Sequence, residues 1–354
     1  MKNLFTLLVL TFFVSSVYAQ RVDLDRFNFS VSYRDFPENP LPEAYKTYNV
    51  RLETSPSLEL GYSIQNMEDN VAIEGLKKVE GTGHITILLM MDDIIFEKPE
   101  TLERIQTSKD KQGNEIKKSF FSTQLAYSFA ARVSVYDYKG NTLVSNKIIF
   151  SRDNKEAYKT PELNSPEECA TYYTNKFSEI RSSVTTQLTA SVLTQTNQWL
   201  NGQYGFPVRT VNDILWVLNN KRHSAYDDQQ KAWNDFKNAI VLINANEPLD
   251  KVKKKMQPVI DYFEKVKKEY VASDKEGRKM RYASYYNLAK IYIYLDEPGK
   301  AITEADALAM NDFDEKDGRM LHQSAALLAD KLQKNNATTR HFALNVNNYT
   351  SPVE

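Results

Sequence analysis

The chain has 354 residues, 42% of them apolar and 26% charged, which excludes a disordered or collagen-like polymer and gives enough apolar surface for about two or three domains. Its 45 Lys and Arg against 46 Asp and Glu leave a formal charge of −1, so no global electrostatic footprint for nucleic acid exists. Only 11 Gly stand against 21 Tyr and 17 Phe, which argues against a loop-dominated architecture.

The first segment reads as an address. Lys2 precedes a nearly unbroken apolar run from Leu4 to Val14, and Ser15-Ser16-Val17-Tyr18-Ala19 offers small residues before a cut ahead of Gln20. That pattern predicts a secretory signal peptide over 1–19, too short to span a membrane, and an exported product in the periplasm or peripheral to the outer membrane. No comparable apolar run follows, so no membrane span is expected. The single cysteine, Cys169, is far from the cut, which excludes a cysteine-linked lipid anchor and any intramolecular disulfide.

From Arg21 to about Arg152 the signals are mostly strands. Leu24-Phe27-Phe29-Val31-Tyr33 alternates over its later part, and Pro37, Pro40 and Pro42 then make an extended connector. Tyr48–Leu52 and Leu58–Tyr62 are short candidates. His84–Met91 is apolar enough to predict a central strand buried on both faces. Tyr127–Tyr136 and Thr142–Phe150 form a hairpin through Asp137-Tyr138-Lys139-Gly140-Asn141, and Lys109–Asn114 is a charged loop tip. Residues 20–164 therefore read as a β-rich, sandwich-like domain, or else as an α/β layer with a helix behind the final hairpin.

The switch to helix is sharp. Ser165-Pro166-Glu167-Glu168 supplies an N-cap, a proline in the first turn and acids beside the helix N-terminus. Cys169, Tyr172, Tyr173, Phe177, Ile180, Val184 and Leu188 then recur near helical spacing, to a stop at Asn201-Gly202. Thr210 can cap a shorter helix with Val211, Ile214, Leu215 and Leu218, so 165–225 reads as connecting helices. Beyond Asp227 everything is helix. Trp233, Phe236, Ile240 and Ile243 line one face, and Leu249, Val252, Met256, Ile260, Phe263 and Val266 the next, where Pro258 should kink or split the element. Asn246-Glu247-Pro248 and Asp296-Glu297-Pro298 join two such pairs about fifty residues apart, a helical-repeat period. A last helix, Glu315–Leu332, turns Leu321, Ala325, Leu328 and Leu332 inward, and 335–354 reads as a polar, frayed tail.

The hairpin Tyr282–Met310 resembles a tetratricopeptide repeat. Leu288-Ala289 match its Leu-Gly/Ala pair, Tyr292 the tyrosine that follows, and Ala301 the small residue of the second helix. Asp296 stands where the family usually has Gly, and Phe313 where it usually has Pro. The resemblance is close over about thirty residues and looser over about a hundred, 226–334. It implies binding of another envelope protein or a peptide on a helical face rather than chemistry. The hairpin 127–150 with the following helix is also similar to periplasmic domains of envelope-assembly lipoproteins, although no cysteine stands near the cut.

Candidate chemistry is thin. Gly75-Leu-Lys-Lys-Val-Glu-Gly81-Thr82-Gly83 lacks the Lys-Ser/Thr of a phosphate loop and precedes a strand, so a turn feeding that strand is the better reading. His84, His223, His322 and His341 have no ligand spacing. Asp312–Gly318 departs from a calcium loop at Lys316, at its glycine and at Gln323. Asp92-Asp93, adjacent on a strand, do not converge, and Cys169 sits on an apolar helix face. No catalytic set, cofactor or metal is read from the sequence. Lys251, Lys253, Lys254, Lys255, Lys265, Lys267 and Lys268 make one helix basic, either a solvated face or a peripheral contact with lipid or an acidic partner. Tyr282, Tyr286 and Ile293 share a face that could anchor a partner or pack between repeats. The expectation is a non-enzymatic envelope scaffold of α+β fold. The alternative is a carbohydrate- or ligand-binding protein using exposed tyrosines of the β-domain: Tyr33, Tyr48 and Tyr62, with Tyr127 and Tyr138.

Overall fold

The computed structural model describes residues 21–56, 58 and 63–352, so the signal segment 1–19 and most of the Leu58–Tyr62 candidate, Tyr62 included, lie outside the described residues. The fold is α+β, with a strand-rich N-terminal half and helices in the C-terminal half. The chain divides into two compact units, and neither is contiguous. Among the described residues, one is 34–208 with 343–352 and the other 21–33 with 209–342.

The strand-rich unit contains β2 (Thr47–Thr54), α1 (Ile64–Asp69), β3 (Lys77–Lys78), β4 (Ile85–Met91), β5 (Ile95–Phe96), β6 (Glu100–Lys109), β7 (Glu115–Ser128), β8 (Ala131–Asp137), β9 (Thr142–Phe150), β10 (Glu156–Lys159) and α2 (Pro166–Tyr204). Its larger sheet has the order β3-β2-β4-β8-β9, in which β2 runs parallel to β3 and β4 while β8 is antiparallel to β4 and β9. β4 is central, as its composition predicts. Ile85, Ile87, Leu89 and Met91 are fully buried, but Thr86, Leu88 and Met90 on the other face are only half-buried. In the second sheet β7 pairs with β10, β5 and β6. Its β6–β7 hairpin, absent from the sequence reading, carries too many charged and hydroxyl residues to register as a half-buried strand pair.

Two hairpin tips repeat one piece of chemistry. In Asp110-Lys-Gln-Gly113-Asn114 and Asp137-Tyr-Lys-Gly140-Asn141, the Asp carboxylate accepts from backbone N–H groups two and four residues on and from the Asn side-chain amide. Gly113 and Gly140 take φ of +87° and +86°, a left-handed conformation that costs glycine nothing. These bonds favour the carboxylate form, so both acids have lowered pKa values, with the Asn amide as the largest cause.

Helix α2 starts where the sequence places it, with Ser165 Oγ accepting from Glu168 N at 3.2 Å. It runs through Asn201-Gly202 to Gly205, because Asn201 is bonded sideways rather than capping. Asn197 and Asn201, one turn apart, take up the backbone of residues 70–74: Asn197 bonds Asn70 O and Ala72 N, and Asn201 bonds Ala72 O and Glu74 N, all at 2.7–2.9 Å. Ile180, Val184, Leu188, Val192 and Leu200 enter the same core as β4 and β8. The helix therefore belongs to this unit as a layer, and is not a connector.

The helical unit contains β1 (Leu24–Arg34), β11 (Val208–Leu218), α3 (Tyr226–Ile240), α4 (Asp250–Glu269), α5 (Lys275–Tyr294), α6 (Pro298–Ala309) and α7 (Glu315–Lys334). Each of the five helices packs on the next in sequence, and α7 returns to α5. The helix expected over 210–218 is a strand. Val208, Thr210, Val211, Ile214, Trp216 and Val217 are β-branched or aromatic, and they pair with β1, as Ser30 Oγ–Asn212 Oδ1 at 2.7 Å and Ser32 Oγ–Thr210 Oγ1 at 2.8 Å show. β1 presents Phe27 to Trp233 at 4.0 Å, and Phe29 to Phe236 and Tyr294 at 5.4 and 5.6 Å. The backbone of β11 is satisfied by helix side chains. Asn287 accepts from Trp216 N at 2.8 Å and donates to Trp216 O at 2.7 Å, and Gln229 accepts from Leu218 N. Pro258 lies inside an unbroken α4, on its exposed side.

The segment after α7 is not frayed. Thr339–Phe342 crosses both Glu-Pro turns that the sequence singles out. Asp296, with φ +55°, accepts from Arg340 N and Nε at 2.6 Å each and from Thr339 Oγ1 at 2.9 Å; Arg340 also donates to Ile293 O. Near the other turn, His341 Nδ1 meets Asn244 O at 2.8 Å and Phe342 N donates to Ala245 O. Polar composition concealed this clasp because its charges are mutually paired.

His341 predicts a pH dependence. Its ring is buried and its pKa is lowered, chiefly by desolvation, with Arg340 and Lys253 adding to that while the Asn244 carbonyl and Asp296 oppose it. Desolvation likewise lowers His223. Above the ordinary histidine range both folded and unfolded forms are neutral and no stability depends on pH. Below it the unfolded chain takes up a proton that the folded unit refuses, so stability falls as pH drops toward the folded pKa. Thermal midpoints measured from about pH 7.5 to about pH 5.5 should fall, and His341→Gln should flatten part of that slope. An unchanged slope in the variant contradicts the assignment.

Candidate functional site

A groove of about 720 Å³ runs along α5 and α6 of the helical unit. Arg278, Arg281 and Tyr285 line it from α5 at helical spacing, Thr303, Asp306 and Ala307 do so from α6, and Met310 from the C-cap of α6. α5 is set by its N-cap, Asp274 accepting from Gly277 N at 2.7 Å, and α6 by Pro298 in its first turn. Leu288, Ala289 and Ala301 are fully buried, so the resemblance positions Leu288, Ala289 and Ala301 are packing residues.

The groove's cations are held in place. Arg281 donates through Nε to Asn311 Oδ1 at 2.9 Å and through a terminal nitrogen to the carbonyls of Tyr270 and Ala272. Arg278 bonds Ser273 O at 2.8 Å and lies 3.6 Å from Asp312. Tyr285 is flanked by Lys267, whose ammonium stands 5.2 Å above the ring. Burial opposes charge on Lys267, but Glu264 at 2.9 Å and Glu304 at 2.8 Å outweigh it and raise its pKa; burial raises that of Glu304. Met310 projects with 81% of its surface exposed. Arginine, tyrosine and methionine on a rigid helical frame are the residue types enriched at protein interfaces. None of these residues stands among the candidates read from the sequence. The repeat of Arg278, Arg281 and Tyr285 on one face of α5 was the signal available.

The other candidates fall elsewhere. Tyr282 is 4% and Tyr286 9% exposed. Both rings pack against Trp216 at 6.0 and 6.1 Å, and Tyr282 Oη donates to Asp317 at 2.6 Å. Burial raises both phenol pKa values. Ile293 is half-buried in the same surroundings. A partner reaching these three would have to displace β11. Tyr33 lies half-buried beneath the Arg340 guanidinium at 4.0 Å. Tyr48 and Tyr127 are buried in the other unit, Tyr48 Oη accepting from Ile73 N and Tyr127 Oη donating to Glu156, with burial lifting Tyr127 to about 12. Tyr138 is exposed on a hairpin tip beside Tyr45 and His84. These tyrosines do not meet on one sheet face.

On α4, Lys253 pairs with Glu297 at 2.9 Å, Lys265 with Asp228 at 3.3 Å, and Lys267 with Glu304, leaving Lys251, Lys254, Lys255 and Lys268 exposed. Among the described residues no helix is long and apolar enough to cross a membrane. The histidines are dispersed: His84 bonds Thr47 Oγ1, His223 accepts from Ala225 N, and His322 meets Asp306. Among the described residues no group of three or more His, Cys, Asp or Glu is placed to hold a metal ion. Asp92 is tied to Arg132 and Arg152, Asp314 caps α7 from within the 312–318 loop, and Cys169 is buried with its thiol pKa raised by that burial. Neither a protein-family model nor a curated protein sequence matches the chain.

Proposed function

We propose that this is a non-catalytic interaction protein whose helical unit holds a segment of a partner protein in the α5–α6 groove. The observation that carries the reading is the groove itself, in which anchored arginines and a tyrosine face an exposed methionine across about 720 Å³. Preset side chains lower the entropic cost of binding, and Arg and Tyr are the residues that most often dominate interface energies. The signal-like segment 1–19 supports an exported, cell-envelope setting, with another envelope protein or a peptide as partner. The exposed lysines of α4 are a secondary, peripheral contact in this reading.

Capture with the full chain as bait tests it. Wild type should retain a defined protein from the native envelope, and Tyr285→Ala or Met310→Asp should weaken retention at least about tenfold with unchanged circular dichroism. Equal retention by both variants removes the groove from the account. Retention of glycan alone, by wild type and variants alike, supports the ligand-binding alternative.

A further inference from the structure

We infer that the β6 edge pairs antiparallel with β6 of a second copy of this chain. This goes beyond the groove reading and concerns the other unit. From Glu103 to Lys118 the hairpin is exposed on both faces apart from Asp110 at its tip, with Ile105 and Ile116 58% and 49% exposed. Only its base is buried, at Ser122 and Thr123. Two strands with water on both faces are marginal on their own. Among the described residues no strand pairs with the outer edge of β6, and β10 covers β7 only from Gln124 to Tyr127.

Apart from charged side chains, which β6 has at Glu100, Glu103, Arg104 and Lys109, natural edge strands are blunted by bulges, proline or irregular pairing. The edge strand β9 of the other sheet follows that rule: its register to β8 shifts repeatedly, and Asn146 takes φ +50°. β6 does not. Its ten residues contain no Pro or Gly and pair with β7 without a break from Glu100↔Gln124 to Lys109↔Glu115. A regular, unpaired edge of this length is a template for another strand.

Charge selects the occupant. A two-fold pairing centred on Gln106 sets Gln106 against itself, Ile105 against Thr107, Arg104 against Ser108 and Glu103 against Lys109. Each opposed pair then shares a sheet face, as antiparallel pairing requires. Lys109 already faces Glu115 within its own hairpin, so each face row would alternate acid, base, acid. Centres at Arg104 or at Glu103 oppose like charges and are disfavoured. Arg104 is meanwhile fixed by two bonds to Glu162 at 2.8 and 2.7 Å and stands 4.9 Å above the Phe120 ring, which stiffens the strand. The area is small, so the dimer should be weak and concentration-dependent.

Sedimentation velocity of the full chain in low salt, from about 10 μM to about 1 mM, reads the outcome. Wild type should shift reversibly toward a dimer. Glu103→Lys and Lys109→Glu should each weaken it at least about tenfold, since each places like charges opposite twice, and the two exchanges combined with Glu115→Lys, which keeps an unlike charge opposite position 109 within its own hairpin, should restore it. Ile105→Pro should abolish it. All four side chains are exposed, and because Asp110 N donates to Asn114 O the unbroken alternation turns the Ile105 N–H away from β7, so the hairpin tolerates the changes. A monomer throughout the range, a dimer indifferent to Glu103→Lys, or a combined exchange at 103, 109 and 115 that fails to rescue overturns the proposal.

Discussion

Replacing Arg340 by alanine is expected to destabilise the helical unit by roughly 3–5 kcal/mol, the cost of leaving one partner of a buried ion pair unmatched. Asp296 has no exposed side-chain surface and Arg340 only 8%, so solvent cannot take over the lost contact. The same substitution takes one donor from the Ile293 carbonyl and removes the cation over Tyr33. Asp296→Asn combined with Arg340→Met should recover much of the loss, because both charges then vanish together and Asn tolerates the positive φ of position 296. Urea denaturation followed by tryptophan fluorescence reports on this unit through Trp216 and Trp233. If Arg340→Ala lies within about 1 kcal/mol of wild type, the clasp does not hold the two turns as described.

Gly83→Ala should be nearly as damaging, at about 3 kcal/mol or more, while Gly81→Ala should change stability by less than about 0.5 kcal/mol. A methyl at Gly83 would stand 2.6 Å from the Tyr48 carbonyl carbon, 2.7 Å from its Cα and 2.8 Å from Asn49 N. These are backbone atoms of β2 in the five-stranded sheet, so no side chain can rotate away. A methyl at Gly81 meets nothing within 4 Å. The two glycines look alike as a would-be phosphate loop, yet one serves the close approach of strands and the other an open turn. Equal losses at both positions would count against this reading.

What the sequence revealed tracks how local each signal was. The starts of α2 and α7, the Asp137–Asn141 tip and the core stripe of α4 follow from residues within a turn or two of one another, and all are present. The pairing of β1 with β11 joins residues about 180 apart, as Ser30–Asn212 and Ser32–Thr210 do, and no local pattern announces it. Without that partner, Val211, Ile214, Leu215 and Leu218 suit a helix face as well as a strand. The tail misled for a related reason: Arg340 and His341 read as solvent-seeking until Asp296 and Asn244 are brought to them. Tyr282 and Tyr286 carried the expected periodicity, but periodicity does not say which face a neighbour covers, and Trp216 covers theirs. Tyr285, one position away, lines the groove.

Site-specific photocrosslinking from Met310 in the full chain, within the native envelope, decides between an interaction protein and a helical unit that only supports the strands. A photoreactive residue there, compared with one at the exposed Leu327 of α7, should give a discrete adduct with one protein. That adduct should disappear with Tyr285→Ala. Diffuse adducts of the same pattern from both positions, unaffected by Tyr285→Ala, contradict a partner in the α5–α6 groove.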